Sequence, residues 1–224
     1  MKLLRRTALA TLLLASLPAL AVEPFVAVYQ ANVKGTIKAN AQMTLSPAGQ
    51  DRWNYVLDVS SPVASVRQAT VFEEHDGGWR PLSGTDSTQM LMKKSQKNTS
   101  FDWAKGEARW SGDVKPDRVG PVKLHAGDMD AMLLNLALVR DVAAGKSLSY
   151  RMVENGTARN QTYQTLGKEA VTVGGKSHTA TKVRRTSDDK QITVWVVEGL
   201  PVPARIVQTK GGKDDLELTL KAVR

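Results

Sequence analysis

The chain has 224 residues, with 31 Lys and Arg against 22 Asp and Glu, and no cysteine. The lack of cysteine excludes disulfide staples, thiolate metal sites, cysteine nucleophiles and an N-terminal lipid anchor, so the fold must be held by its core alone. Gly-x-Gly-x-x-Gly and phosphate-loop patterns are absent too, and with them the common nucleotide-binding classes.

The first 21 residues read as a secretory signal peptide. Lys2, Arg5 and Arg6 form a basic start, residues 8–17 a short apolar run, and Ala19-Leu20-Ala21 a small-x-small cleavage site. Cleavage after Ala21 and export to the periplasm of a Gram-negative bacterium are therefore expected. The apolar run is shorter than the roughly 20 residues that a membrane span requires, and no later stretch is expected to act as a transmembrane anchor. Removing this segment's three basic residues leaves 28 against 22 acids, a net +6. A partner selected by charge would then be acidic: lipid, lipoprotein or lipopolysaccharide, with nucleic acid disfavoured by the compartment.

Residues 36–46 alternate strictly, with Ile37, Ala39, Ala41, Met43 and Leu45 on one face and polar side chains on the other, the pattern of a half-buried strand. Neighbouring runs are expected at 25–34 and 52–60, then at 68–75, 87–94 and 98–103. Pro47-Ala48-Gly49, Asp76-Gly77-Gly78 and Lys105-Gly106 supply turns. A stretch rich in Asp113, Pro116, Asp117, Gly120 and Pro121 reads as a loop.

Residues 128–143 have the length and composition of one α-helix, with Asp128 as the expected N-cap and Gly145 as the stop. Met132, Leu133, Leu136 and Val139 share a face, while Leu134 and Leu138 carry the apolar surface round the side. That distribution predicts burial on more than one face. Strands resume at 148–153, with Asn155-Gly156 as a hairpin signal, and continue to 215–223, where Leu216, Leu218, Leu220 and Ala222 alternate with polar residues. The expected architecture is mainly β: a single domain over 22–224, an antiparallel meander curled into an open or closed barrel, with the one apolar helix packed on or in it.

Little in the sequence carries chemistry. His75, His125 and His178 lack metal spacing, no serine sits in a nucleophile elbow, and neither metal nor cofactor is expected. Lys93, Lys94 and Lys97 form one basic cluster and Lys182, Arg184 and Arg185 another; on a strand Lys182 and Arg184 point the same way.

Three blocks resemble a bacterial exported family, domain of unknown function 3108: the Tyr strand and glycine at 29–35, the Asp-led apolar helix ending Leu-x-x-Arg-Asp at 128–141, and the late Trp strand with Leu-Pro-Val-Pro-Ala-Arg and a Gly-rich turn at 195–212. Ala131 stands where that family commonly has serine. The resemblance implies a periplasmic β-rich protein and no assigned catalytic residue.

The leading expectation is a non-enzymatic envelope protein that binds a lipophilic or acidic component in its curved sheet. Met132, Leu133, Leu136 and Trp195 would line the site, and Lys182 and Arg184 would form a basic rim. An interaction module with a filled barrel is the alternative. A hydrolase of envelope polymers, using carboxylates such as Asp128, Asp130 and Glu154, ranks third.

Overall fold

The computed structural model describes residues 22–224; the expected signal peptide lies outside the described residues. Fifteen strands alternate almost entirely through tight turns, because most hairpin tips carry Gly, Asn or Asp in the left-handed conformation that closes a two-residue turn. The first arm contains β1 (Phe25–Val33), β2 (Ile37–Gly49), β3 (Arg52–Ser60), β4 (Ala64–His75), β5 (Gly78–Met90), β6 (Lys93–Asp102), β7 (Glu107–Gly112) and the short β8 (Val122–Lys123). The second contains β11 (Gln164–Val173), β12 (Lys176–Ser187), β13 (Lys190–Val197), β14 (Arg205–Lys210) and β15 (Lys213–Val223). Between the arms the chain forms α1 (Ala131–Ala143) and a separate hairpin, β9 (Ser149–Glu154) with β10 (Thr157–Thr162).

Both arms belong to one antiparallel sheet of 13 strands, ordered β11-β12-β13-β14-β15-β1-β2-β3-β4-β5-β6-β7-β8. The first and last strands of the folded chain are thus neighbours near the sheet's centre, and the two alternating stretches, β2 and β15, flank β1 on either side. β1 pairs with β15 from Ala27 opposite Val223 to Val33 opposite Leu216. The outermost strands β8 and β11 each have one partner, so the sheet is open; of the two expected barrel forms, closure is not adopted.

The helix is what the sheet curls round. It packs against β3 and β4 of the first arm, β13 of the second, and β9. Met132, Leu133, Leu134, Leu136, Ala137, Leu138 and Val139 are all buried, which accounts for the nearly encircling apolar pattern. Each fully buried leucine contributes about 1.5–3 kcal/mol of transfer free energy.

The helix starts later than the sequence suggests. Asp130, rather than Asp128, is the N-cap, and its Oδ1 accepts the Leu133 N–H at 2.8 Å. Asp128 is instead buried outside the helix, where its carboxylate accepts from the His125 backbone N–H at 2.9 Å and from the Arg151 guanidinium. At the other end, Asp141 is buried between Arg140, whose Nε donates at 2.8 Å, and the Tyr150 hydroxyl at 3.1 Å. Arg140 also lies 4.6 Å from the Trp79 ring centroid. These contacts tie the last helical turn to β9 and β5. No helix among the described residues is long and apolar enough to cross a membrane.

Candidate functional site

Three places in the fold bring candidate functional side chains together: the helix-filled interior, a carboxylate crevice at the helix N-terminus, and the end of the β5–β6 hairpin.

In the interior, Met132, Leu133 and Leu136 are 5%, 0% and 5% exposed and belong to one apolar cluster with Tyr29, Met43, Tyr55, Phe72 and Val194. The protein's own side chains occupy the space an acyl chain would need. Trp195, 5% exposed, belongs to the same cluster but lies on the other face of β13 from Val194. It pairs with Lys182 across the ladder, one residue out of phase with Val183 and Val194, so strand alternation turns it to the face away from Arg185 and the β9–β10 hairpin. There its ring is covered by Lys182, 5.0 Å from the centroid, and by Arg205 at 4.7 Å. Lys182 pairs with Glu169 at 2.7 Å, which together with the polar neighbourhood holds that carboxylate below its usual range, and Arg184 donates to Thr193 at 3.1 Å. The four expected lining residues and the two rim residues therefore do not form one site. The register places Lys182 and Trp195 on the opposite face of β13 from Val194, with the Trp195 ring buried there.

At the helix N-terminus, cross-strand register brings Gln68 beside Asp86, and Thr70, Gly84 and Thr99 into one row. Asp130, Ala131, Met132 and Glu154 close the crevice over them. Its volume is about 30 Å³, room for a water and no more. Asp130 is half-buried, and desolvation of its carboxyl pushes its pKa up to about 6 against the hydrogen bonds from Thr70 and Leu133. Burial also raises the Glu154 pKa, and the charge of Asp86 adds to the effect. Of the three carboxylates named from sequence, Asp130 and Glu154 share this crevice and Asp128 does not. Asp86 is the member that sequence reasoning missed, since only strand pairing places it there. Among the described residues no group of acids and histidines is arranged to hold a metal ion.

The third place is an exposed one. The run expected as a single strand over 87–94 is a hairpin tip: β5 ends at Met90, Leu91 and Met92 make the turn, and β6 begins at Lys93. Met90, Leu91 and Met92 are 59%, 79% and 100% exposed, and the Leu91 N–H bonds back to the carbonyl of Val63, itself 52% exposed. Four apolar side chains therefore project together. Lys93 lies opposite Met90 and Lys94 opposite Gln89, both exposed and, among the described residues, outside any ion pair. Behind the tip, Asp58, Ser60, Ser65, Arg67, Ser87 and Gln96 line an open trough of about 420 Å³. Asp58 is neutralised by Arg67 at 2.6 Å, and Asp113 on its margin accepts the Gln96 N–H at 2.8 Å. Among the described residues, Lys94 and Asp113 are thus the trough's lining charges outside any ion pair, and Lys93 stands next to Lys94 at the tip. A signal for this site was present in the sequence as Met-Leu-Met-Lys-Lys, masked by the lack of any turn residue within it.

With this geometry in hand, comparison with known proteins fixes the family. The model of the family described as "Protein of unknown function (DUF3108)" matches residues 28–220, nearly all of the folded chain. The chain belongs to that family. No curated protein matches it. Among solved structures, the family fold is similar to a β-barrel-like protein of domain of unknown function DUF1849 from Brucella abortus. The TM-score is 0.53 at 12% identity, covering 90% of this chain and 97% of that one. At that identity the likeness speaks for the fold alone.

Proposed function

We propose that this DUF3108 member is an exported, non-enzymatic protein of the bacterial envelope that binds an amphiphilic partner, lipophilic in body and acidic in headgroup. The observation that carries the reading is the β5–β6 tip, where exposed apolar side chains meet unpaired lysines at the edge of an open trough. Soluble domains seldom leave large apolar side chains clustered and exposed without a partner for them. The binding surface in this reading is the rim, because the interior is already packed with Met132, Leu133, Leu136 and their neighbours. The net +6 of the chain beyond residue 21 favours the same class of partner. A catalytic reading finds less support: the acids of the crevice enclose space for one water, too little for a polymer segment.

Export and binding are tested together. Protein isolated from the periplasm is expected to begin at Val22 by intact mass and, under native ionisation, to carry a lipid-sized adduct that organic extraction releases. Titration with a short-chain anionic amphiphile, kept below its micellar concentration, is expected to saturate at one molecule per chain. A chain beginning at Met1 would overturn the export reading. A clean mass together with a flat titration would overturn the binding reading.

The edge strand β11 favours a second reading as a protein-interaction module. It pairs only with β12, and most of its residues are exposed, so its outer backbone groups are open to strand addition. The register shift between Thr165 and Gly167 shortens the regular stretch available.

A further inference from the structure

The β5–β6 tip differs from the other turns of this protein in a way that calls for a reason. Non-glycine residues with positive φ among the described residues are Lys34, Gln50, Asp51, Asp76, Leu91, Asn155 and Asp188. Six of these are polar, of the kinds that turns favour, and Leu91, at φ 49°, is the sole apolar one. A branched apolar side chain is a poor occupant of the left-handed region, and an asparagine or glycine would close the same turn with less strain. Folding therefore gives no reason for Leu91, and burial gives none either, since it is 79% exposed. The next residue, Met92, is wholly exposed, and Val63 and Met90 broaden the apolar surface. Two lysines follow directly in sequence, at the base of the apolar tip.

We propose that this tip docks the protein on an anionic lipid bilayer, with Leu91 and Met92 entering the boundary between headgroups and acyl chains and Lys93 and Lys94 meeting the phosphates. The proposal rests on the reading that the rim binds a lipophilic, acidic partner, and it narrows that partner to a membrane surface rather than a single extracted lipid. Charge complementarity selects the occupant. A second copy of the chain would bring its own lysines against these, whereas an anionic bilayer supplies both an apolar phase and the opposite charge. A hairpin end is also a suitable shape, since its exposed turn lies level with the neighbouring Val63 turn while the trough behind it stays open.

Sedimentation of the mature chain with vesicles is the test, using phosphatidylcholine alone and phosphatidylcholine mixed with phosphatidylglycerol. Binding is expected with the mixed vesicles and is expected to weaken as salt is added. Leu91→Asn suits the turn and removes the apolar group, so it is expected to fold as well as the parent while losing about tenfold in vesicle binding. Reversing both lysines, Lys93→Glu with Lys94→Glu, is expected to cost more, since each lysine near an anionic surface contributes about fivefold. A Leu91→Trp variant is expected to shift its emission to the blue on meeting mixed vesicles by more than the parent, whose five tryptophans supply the background. Failure of the parent chain to sediment with mixed vesicles, or unchanged binding by a folded Leu91→Asn variant, would overturn the docking proposal. So would a dimer in sedimentation velocity that Leu91→Asn dissolves. Saturable binding of the soluble amphiphile without vesicle binding would overturn docking and leave the broader reading standing; loss of both would overturn both.

Discussion

Asp130 holds two elements with one carboxylate: one oxygen caps the only described helix through Leu133, and the other accepts the Thr70 hydroxyl of β4. Enclosure makes the charged form costly there, so the folded protein favours the protonated acid up to about pH 6, while the unfolded chain releases its proton near 3.8. The raised folded pKa makes the sign definite. This group's stabilisation is complete below the unfolded value and is lost as pH rises from about 4 to about 6, an effect of about 3 kcal/mol at most. Glu154, also raised, acts in the same direction. Asparagine caps helices as well as aspartate does and offers an amide to Thr70, so Asp130→Asn is expected to flatten the fall in stability across that window. Urea midpoints at intervals from pH 4 to 7 check this; identical profiles for parent and variant would refute the assignment. From sequence, Asp128 and Asp130 are equally good caps two residues apart. What separates them is Arg151, a tertiary partner for Asp128 that no local pattern announces.

Hairpins dominate at the scale of elements, and their turn chemistry was mostly legible. Asn155-Gly156 closes β9 and β10 as its sequence predicts, with Asn155 and Gly156 both at positive φ. Gly156 has a second duty that sequence does not display: a Cβ there would lie 2.5 Å from the Arg118 carbonyl oxygen and 2.6 Å from its Cα. The loop after β7 thus rests on the hairpin turn backbone to backbone. Gly77 is the natural control, with φ +70° and open space round its missing side chain. Gly77→Ala is expected to cost about 1 kcal/mol from backbone strain alone, and Gly156→Ala about 2–4 kcal/mol because the clash adds to it. Denaturant midpoints with unchanged slopes would confirm the difference, and equal losses would show that the loop yields freely. The β5–β6 tip was illegible for the opposite reason. Residues 87–94 contain no Gly, Asn or Asp to mark the turn after Met90, so a strand pattern runs straight through it.

The alternating patterns of β2 and β15 were visible, but not that both strands pair with β1, so that the first and last strands of the folded chain meet. Register depends on long-range pairing, and the chain must first run out through β8, cross by α1 and the β9–β10 hairpin, and return through β11. That route makes the β1–β15 ladder the seam between two arms, reinforced where the backbones of Val26 and Arg224 exchange hydrogen bonds at 2.7 and 3.0 Å. Leu220 sits on this seam opposite Tyr29, fully buried, and the Tyr29 hydroxyl reaches the Pro203 carbonyl at 2.7 Å. The helix touches both arms, so neither keeps its apolar face covered if the other leaves. The arms are therefore expected to unfold as one unit, and a lesion at the seam to be felt equally in each. Leu220→Ala is expected to cost about 2–5 kcal/mol, lowering Tm by several degrees in a domain of this size. In native-state hydrogen exchange it is expected to reduce protection in β3 and β4 by the same free energy as in β12 and β13, while the β5–β6 tip and the outer edge of β11 exchange fast in parent and variant alike. Loss of protection confined to the second arm would mean that the first arm and helix form a separate folding unit, with the seam an interface between two bodies rather than the middle of one sheet.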